Sequence, residues 1–158
     1  MKKKQDIIIL GSGGHAKVVI DIIEAADVYN IIGITDVSIE KENSYCGYPI
    51  LGDDDILSDF FKKGVQNVAI GVGGYRNNNK RKEVFNKVKL MGFYIPVLIH
   101  PSANISKSVI IDEGCVIFQG VNINTDVKIG KNNIIATGSN IDHETSLGNH
   151  VLISAGVT

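Results

Sequence analysis

A glycine-rich loop near the N-terminus has the spacing of a phosphate-binding turn. Gly11, Gly13 and Ala16 fit the pattern G-x-G-x-x-(G/A), between a short apolar run and a stretch of helical period. Glycines let the backbone approach a diphosphate closely, and the free N–H groups at a helix start present a partly positive end to it. His15 lies on the first helical turn, within reach of a phosphate oxygen or a sugar. Asp36 follows Ala16 by twenty positions, as the ribose-binding carboxylate does in dinucleotide-binding folds.

The short length of the domain that contains this loop favours a mononucleotide ligand. The loop alone is the dinucleotide fingerprint, but a dinucleotide domain joins two mononucleotide-binding halves, and only residues 1–99 precede a change in the sequence pattern. An NAD-dependent oxidoreductase is therefore the less favoured alternative. A binding titration in which NAD is preferred over UDP would support it.

The pair His143–Glu144 forms a second candidate site. An imidazole has an ordinary pKa of about 6.5, which suits the removal of a proton from an amine or a hydroxyl at neutral pH. Glu144 can accept the other ring N–H and stabilise the imidazolium, as the third member of a catalytic triad does. Adjacent side chains of a straight strand point to opposite faces, so this contact requires the chain to turn a corner at His143. His100, which precedes a proline, is expected to serve a turn.

The elements that must position the first site alternate between strands and helices as far as residue 99. Such alternation indicates parallel strands with helices packed on the sheet, hence a small Rossmann-like α/β domain. The predicted strands are residues 7–10, 31–35, 68–70 and 93–96, and the predicted helices are residues 14–26, 56–63 and 76–91.

After His100 the helical period gives way to a repeat of six residues. In most hexads, the residue two positions before the repeating aliphatic one is small or β-branched. Two inward residues in every six are typical of a β-helix in which three hexads close one triangular coil and stacked aliphatic side chains fill the interior. Nine hexads between Ala103 and Gly156 predict three coils. The repeating aliphatic positions are Ile105, Ile111, Ile117, Ile123, Ile129, Ile135, Ile141, Leu147 and Ile153.

Composition narrows the class of partner and the compartment. The 158 residues include 16 Lys and Arg against 17 Asp and Glu, and this balance argues against a nucleic-acid partner. The apolar run at residues 7–10 is too short for a signal peptide, and nothing in the sequence indicates a membrane span. Cys46 and Cys115 have neither metal-ligand nor disulfide-framework spacing. We expect a cytoplasmic protein without a metal.

The two halves, in this order, resemble the sugar acetyltransferases of the NeuD and PglD type. Those enzymes join a small nucleotide-sugar-binding Rossmann-like domain to a left-handed parallel β-helix. The resemblance covers the whole chain and divides it into residues 1–99 and 100–158. It is carried by Gly11-Ser12-Gly13-Gly14-His15-Ala16-Lys17, by Asp36 and Gly71, by Ile99-His100-Pro101-Ser102-Ala103, and by Asp142-His143-Glu144 with Leu147-Gly148.

This resemblance implies a reaction and a role for each motif. It implies acetyl transfer from acetyl-CoA, without a metal, to the amino group of a UDP-linked sugar for surface glycans. His143 would be the general base and Glu144 the residue that raises its basicity. A homotrimer would share its active sites between neighbouring subunits. The residues expected to contact the UDP-sugar are Gly11, Gly13, Gly14, His15, Asp36 and Gly71.

Three features depart from the pattern of the family and keep alternatives open. A histidine that helps to bind acetyl-CoA nine residues after the catalytic one is Leu152 here, with His150 two positions earlier, and an asparagine seven residues before the catalytic one is Ala136. A tenth hexad begins at Val157 and stays incomplete, which predicts a truncated, poorly active form of a longer enzyme. The alternatives are O-acetylation of a sialic-acid-type sugar and a catalytically silent nucleotide-sugar-binding protein.

Overall fold

The N-terminal half is a five-stranded sheet with helices on both faces, in a computed structural model that describes residues 4–38, 43–74 and 77–158. Its strand order is β3-β4-β2-β1-β5, and neighbouring strands run parallel except in the β3–β4 hairpin. The strands are β1 (Gln5–Leu10), β2 (Tyr29–Thr35), β3 (Ser44–Tyr45), β4 (Tyr48–Gly52) and β5 (Asn67–Ile70). The helices are α1 (Gly14–Ala26), α2 (Leu57–Lys62), which a 3₁₀ turn at Asp54–Ile56 precedes, and α3 (Asn79–Leu90).

The apolar run in β1 is continuous because both faces of the sheet are covered. Ile7 and Ile9 share a core with α1, whereas Ile8 and Leu10 share one with α2 and α3. A parallel strand buried on both faces needs apolar side chains at every position rather than at alternate ones. The central strand thereby holds the start of α1, and with it the glycine loop, in a fixed place.

Most of the predicted elements of this half are present, with three differences. The predicted strand at residues 93–96 is wrong: Tyr94 forms only an isolated bridge with Asn67, and the apolar run reflects the burial of Phe93 and Ile95 in the core. The hairpin of β3 and β4 was not predicted. The helix expected at residues 76–91 spans Asn79–Leu90, and residue 76 lies outside the described residues.

The C-terminal half is a left-handed parallel β-helix of three coils, as predicted. Its two-residue strands form three sheets with the orders β13-β10-β7, β14-β11-β8 and β15-β12-β9-β6. Because β6 pairs with β9, the ladder begins two residues before the predicted boundary at residue 100. The strands are β6 (Leu98–Ile99), β7 (Asn104–Ile105), β8 (Ile110–Ile111), β9 (Val116–Ile117), β10 (Asn122–Ile123), β11 (Lys128–Ile129), β12 (Ile134–Ile135), β13 (Asn140–Ile141), β14 (Ser146–Leu147) and β15 (Leu152–Ile153).

The six-residue period sets both the interior and the corners of the β-helix. Strand register stacks Ile105, Ile123 and Ile141 along one face, and the other two faces stack their aliphatic residues in the same way. In every hexad after the first, one corner residue has a positive φ, the left-handed conformation that favours glycine. These corner residues are Gly114, Gly120, Asp126, Asn132, Gly138, Glu144, His150 and Gly156.

The two halves pack with α1 against the sheet that contains β6 and β9. Leu98 and Val116 belong to the same core as the inner face of α1. The Gln119 amide donates a hydrogen bond of 2.6 Å to the Asp21 carboxylate of α1. This packing turns the sheet β15-β12-β9-β6 toward the glycine loop. No helix within the described ranges is both long and apolar enough to cross a lipid bilayer.

Candidate functional site

A cavity of about 790 Å³ lies between the glycine loop (residues 11–16) and the β-helix. We call it the glycine-loop cavity. One wall is formed by the ends of β1, β2 and β5, and the facing wall by Phe118, Ile134, Ala136 and Leu152 of the β-helix. The structure brings together here all the residues predicted to contact a nucleotide sugar: Gly11, Gly13, Gly14, His15, Asp36 and Gly71.

The glycines around the cavity serve two different purposes. Gly11 has a φ of +92°, and a Cβ on Gly71 would lie 2.6 Å from the Gly11 carbonyl oxygen, so the fold itself requires glycine at both positions. Gly13 has an ordinary φ of −81°. At Gly13 and at Gly14 an added Cβ would meet no atom within 4 Å. The fold does not need glycine there, and the open space in front of both residues is available to a ligand.

The N-terminus of α1 opens toward this space. Gly13 is its N-cap, no side chain in the described residues caps it, and its first turn contains no acidic residue. The first N–H groups of a helix lack intrahelical partners and together carry a partial positive charge. The local structure thus suits an anion.

Asp36 ties the glycine loop to the end of β2. Its Oδ2 accepts hydrogen bonds from the Ser12 backbone N–H at 2.8 Å and from the Ser12 hydroxyl at 2.6 Å. Its Oδ1 accepts the equivalent bonds from Ser38 at 2.8 and 2.5 Å. Partial burial raises the pKa of Asp36, but these hydrogen bonds outweigh it and lower the pKa to about 2. The carboxylate is ionised and its acceptor sites are engaged, so its predicted contact with a nucleotide stays a prediction.

His15 is a neutral side chain in this environment. Burial and, secondarily, the charge of Arg81 lower its pKa to about 3. Its ring stacks on Phe118, with centroids 5.6 Å apart and planes 21° apart, and its Nε2 lies 3.3 Å from Arg81 Nη1. At neutral pH His15 can therefore donate a hydrogen bond to a ligand but cannot contribute a positive charge.

Arg81 also belongs to this region, and it was not predicted from the sequence. It is completely buried, and burial lowers its pKa to about 10, so it keeps its charge. Its guanidinium donates to the carbonyls of Ile70 and Val72 at 2.9 Å and, across the two halves, to that of Gly114 at 3.0 Å. A signal was present, because Arg81 lies three residues before Val84 on the buried face of α3.

His143 and Glu144 lie at the corner between β13 and β14, as predicted. His143 Nδ1 and Glu144 Oε2 are 3.2 Å apart, and both side chains are largely exposed. Asp142 accepts a hydrogen bond of 2.8 Å from the His143 backbone N–H. Beside this corner a second cavity, of about 680 Å³, follows the outer face of β7, β10 and β13. None of the described residues that line the glycine-loop cavity comes from the corner, so one chain does not bring the two candidate sites together.

The remaining histidines have structural partners. His100 Nδ1 accepts a hydrogen bond of 3.1 Å from the Ser102 backbone N–H, consistent with the expected role in a turn. The His150 carbonyl accepts a hydrogen bond of 2.6 Å from Asn78, and its ring packs edge-on against Phe85 of α3. His150 thus joins the two halves. The described residues contain no group of three or more His, Cys, Asp or Glu that could hold a metal ion.

Comparison of the sequence with known proteins identifies a family and a curated relative. The family described as the PglD N-terminal domain matches residues 6–88. UDP-N-acetylbacillosamine N-acetyltransferase from Bacillus subtilis (strain 168) is 30% identical over 117 residues, which are 72% of this chain and 51% of that protein. The chain thus spans about half the length of this relative.

Solved structures resemble nearly the whole chain. PerB from Caulobacter crescentus, in complex with CoA and GDP-perosamine, is 34% identical with a TM-score of 0.85, over 96% of this chain and 69% of that one. The acetyltransferase domain of PglB from Neisseria gonorrhoeae FA1090, in complex with acetyl coenzyme A, is 28% identical with a TM-score of 0.84, over 98% and 72% of the two chains.

Proposed function

Since this chain belongs to the NeuD/PglD-type sugar acetyltransferase family, we propose that it acetylates the amine of a nucleotide-linked amino sugar with acetyl-CoA. The observation that carries this proposal is the convergence of the six predicted nucleotide-sugar residues on one cavity. Residues 1–99 would hold the nucleotide sugar, and residues 100–158 would form the acyltransferase part. The sugar would serve surface glycan synthesis.

The glycine-loop cavity suits the diphosphate of such a substrate. The N–H groups at the start of α1 face open space next to Gly13 and Gly14, and a diphosphate placed there would accept hydrogen bonds from them. The relatives act on or bind a UDP-sugar in one case and a GDP-sugar in another. We expect UDP, and a test with both nucleotides decides the base.

The chemistry requires one proton transfer in each direction. The substrate amine attacks the thioester carbonyl of acetyl-CoA, and His143 takes the proton that the amine loses. Glu144, 3.2 Å away, accepts the Nδ1–H and stabilises the resulting imidazolium. Collapse of the tetrahedral intermediate breaks the C–S bond, and the imidazolium returns its proton to the departing CoA thiolate. This attack on a thioester needs no metal.

We propose a homotrimer for this reaction. The His143 corner and the glycine-loop cavity are separate within one chain, so a neighbouring subunit has to bring one to the other. Side-by-side packing of β-helices creates a groove at such corners. We also propose a cytoplasmic location, because Cys46 and Cys115 are both free thiols, as proteins of a reducing compartment have.

The test measures acetyl transfer directly. The purified chain is incubated with acetyl-CoA and, in parallel, with UDP-linked and GDP-linked 4-amino sugars and with sialic acid. We expect release of CoA thiol and a singly acetylated amino sugar by mass spectrometry with one nucleotide sugar, and no product with sialic acid. His143→Ala should lower kcat by about 100-fold or more.

Two outcomes of this test would overturn the proposal. An acetylated hydroxyl on sialic acid would assign O-acetylation instead. Binding of a nucleotide sugar without turnover of any substrate would assign a silent nucleotide-sugar-binding protein.

A further inference from the structure

The buried guanidinium of Arg81 lies directly against the ring of His15. Arg81 Nη1 is 3.3 Å from His15 Nε2, and the same Nη1 donates to the carbonyls of Ile70 and Val72 at 2.9 Å. None of the ion pairs among the described residues includes Arg81. A charge in the interior without a carboxylate partner is costly. We therefore ask what this charge does next to a histidine that lines the cavity.

We propose that Arg81 is a positioning residue that fixes the tautomer of His15, with the proton on Nδ1, so that His15 offers one N–H to a phosphoryl oxygen in the glycine-loop cavity. The inference rests on the proposed nucleotide-sugar site. It adds to that site a residue that touches no ligand itself.

The tautomer follows from the donors and acceptors at the contact. A guanidinium has five N–H donors and no acceptor. A proton on His15 Nε2 would therefore point at the N–H groups of a cation, whereas a bare Nε2 presents its lone pair to them. Arg81 Nη1 has two hydrogens for three acceptors, so His15 Nε2 shares a hydrogen with a carbonyl over a longer contact. The guanidinium still favours an unprotonated Nε2. The single proton of the neutral ring belongs on Nδ1.

The ring is held so that Nδ1 serves the cavity. Phe118 stacks on one face of His15, and Gly73 lies so close to its Cβ that a side chain at residue 73 would come within 3.0 Å of it. Among the described residues none hydrogen bonds to Nδ1, and this atom is not buried, on a side chain that lines the glycine-loop cavity. A fixed N–H that a ligand in the cavity can reach is preorganised, and it needs no reorientation when an anion arrives.

The first experiment reads the tautomer in the unaltered protein. Long-range ¹H–¹⁵N correlation spectra of the full chain at pH 7 and pH 6 distinguish the two neutral tautomers and the imidazolium, and loss of the signal in His15→Asn assigns it. We expect a neutral ring with the proton on Nδ1 at both pH values. A proton on Nε2, or an imidazolium at pH 6, would overturn the proposal.

The second experiment tests the direction of the donor with two substitutions of His15. An asparagine amide occupies the place of Nδ1, and a glutamine amide occupies the place of Nε2. Calorimetric titration with UDP and GDP should show His15→Asn within about threefold of the natural chain for the preferred nucleotide, and His15→Gln at least about tenfold weaker. Equal affinities of the two variants would contradict the proposal.

A third measurement separates the tautomer role of Arg81 from its role in holding the fold. Arg81→Gln replaces a pure donor by an amide that can also accept, so the proton on Nε2 should become populated in the His15 spectrum. An unchanged tautomer in a folded Arg81→Gln chain counts against the proposal. If that variant has no cooperative thermal transition, the proposal is decided by the tautomer spectrum of the natural chain and by the nucleotide affinities of the two His15 variants.

Failure of the proposed function gives a different result. A chain that binds UDP or GDP with the expected tautomer and transfers no acetyl group loses its proposed activity but keeps the role of Arg81. A chain that binds neither nucleotide loses the proposed site, and the Nδ1–H donor then has no ligand, which also overturns the proposal.

Discussion

The glycines around the cavity are of two kinds: packing requires glycine at some positions and does not require it at others. Gly71 is fixed by packing, since its Cβ would lie 2.6 Å from the Gly11 carbonyl oxygen. Gly14 has free space around it and begins α1, where glycine weakens a helix. Since Gly14 meets no packing requirement, we expect that a ligand binds next to it.

Replacement of these glycines by alanine should therefore separate binding from stability. Gly14→Ala should leave the free energy of unfolding unchanged or raise it by up to about 0.5 kcal/mol, and should weaken nucleotide binding about tenfold. Gly71→Ala, the matched control, should lower stability by about 2 kcal/mol or more through overpacking. Urea unfolding and calorimetric titration measure both quantities. Undiminished nucleotide affinity in Gly14→Ala would mean that the diphosphate does not lie against the start of α1.

The pKa of His15 predicts how stability depends on pH. The folded chain holds this group at a pKa of about 3, whereas in the unfolded chain it titrates near the ordinary value of 6.5. Between these values the unfolded state binds a proton that the native state does not. The free energy of unfolding should therefore fall as the pH is lowered below 6.5, by up to about 1.4 kcal/mol per pH unit from this group. Above about pH 8 the group should contribute almost no slope.

Urea unfolding at pH 7, 6 and 5 measures this slope. His15→Asn removes the titrating group, so its stability should fall less over the same range than that of the natural chain. His150, whose pKa is also lowered by burial, is present in both chains, and its contribution cancels in the comparison. Parallel slopes in the two chains would show that His15 is not held neutral.

At the scale of elements, the corners of the β-helix identify Glu144 as unusual. One coil earlier the equivalent corner residue is Asp126, and most other corners carry glycine or asparagine, which tolerate a positive φ. Glu144 has a φ of +58°, and a residue of this kind in the left-handed region costs about 1 kcal/mol. Strain kept at a site that also pairs with His143 supports a functional role for the carboxylate.

Glu144→Gly should accordingly gain stability and lose activity. Relief of the left-handed backbone should raise the free energy of unfolding by about 1 kcal/mol, and loss of the His143 partner should lower the rate of acetyl transfer about tenfold or more. Asp126→Gly makes the same backbone change one coil away and should leave the rate unchanged. A fully active Glu144→Gly chain would remove the carboxylate from the mechanism.

The elements also show what can be predicted from sequence. The β-helix was predictable because each inward residue contacts the equivalent residue one coil away. The regular stacking therefore requires a regular repeat of residue types in the sequence. The conformation of residues 93–96 was predicted wrongly as a strand, because a short apolar run in a buried loop has the same sequence pattern as a strand. Arg81 was missed because a charged residue on a helix normally faces solvent, and its hydrogen bond to Gly114 of the β-helix depends on how the two halves pack. The packing of α1 against the β-helix places the apolar wall of the cavity opposite the glycine loop, which no local pattern indicates.

At the scale of the whole molecule, the contact between the halves decides which surfaces remain for a partner subunit. The sheet β15-β12-β9-β6 is turned to the glycine loop, whereas the His143 corner lies between the two other sheets. Under the proposed mechanism, a sugar held in the cavity of one chain would therefore receive its general base from a second chain. A hydrogen bond of 3.0 Å from Arg81 to the Gly114 carbonyl joins the two halves of the chain.

Complementation between two inactive chains tests this arrangement. His143→Ala lacks the base but keeps its cavity, and Gly14→Asp keeps the base but places a carboxylate where the diphosphate would bind, in open space that tolerates the side chain. Each variant alone should be inactive. Refolded together in equal amounts, they should recover about a quarter of the natural activity, because one neighbouring pair in four then joins an intact cavity to an intact base across a cyclic interface. The same variants mixed after separate folding are the control. If the co-refolded mixture is as inactive as its components, the base and the cavity do not act across neighbouring chains.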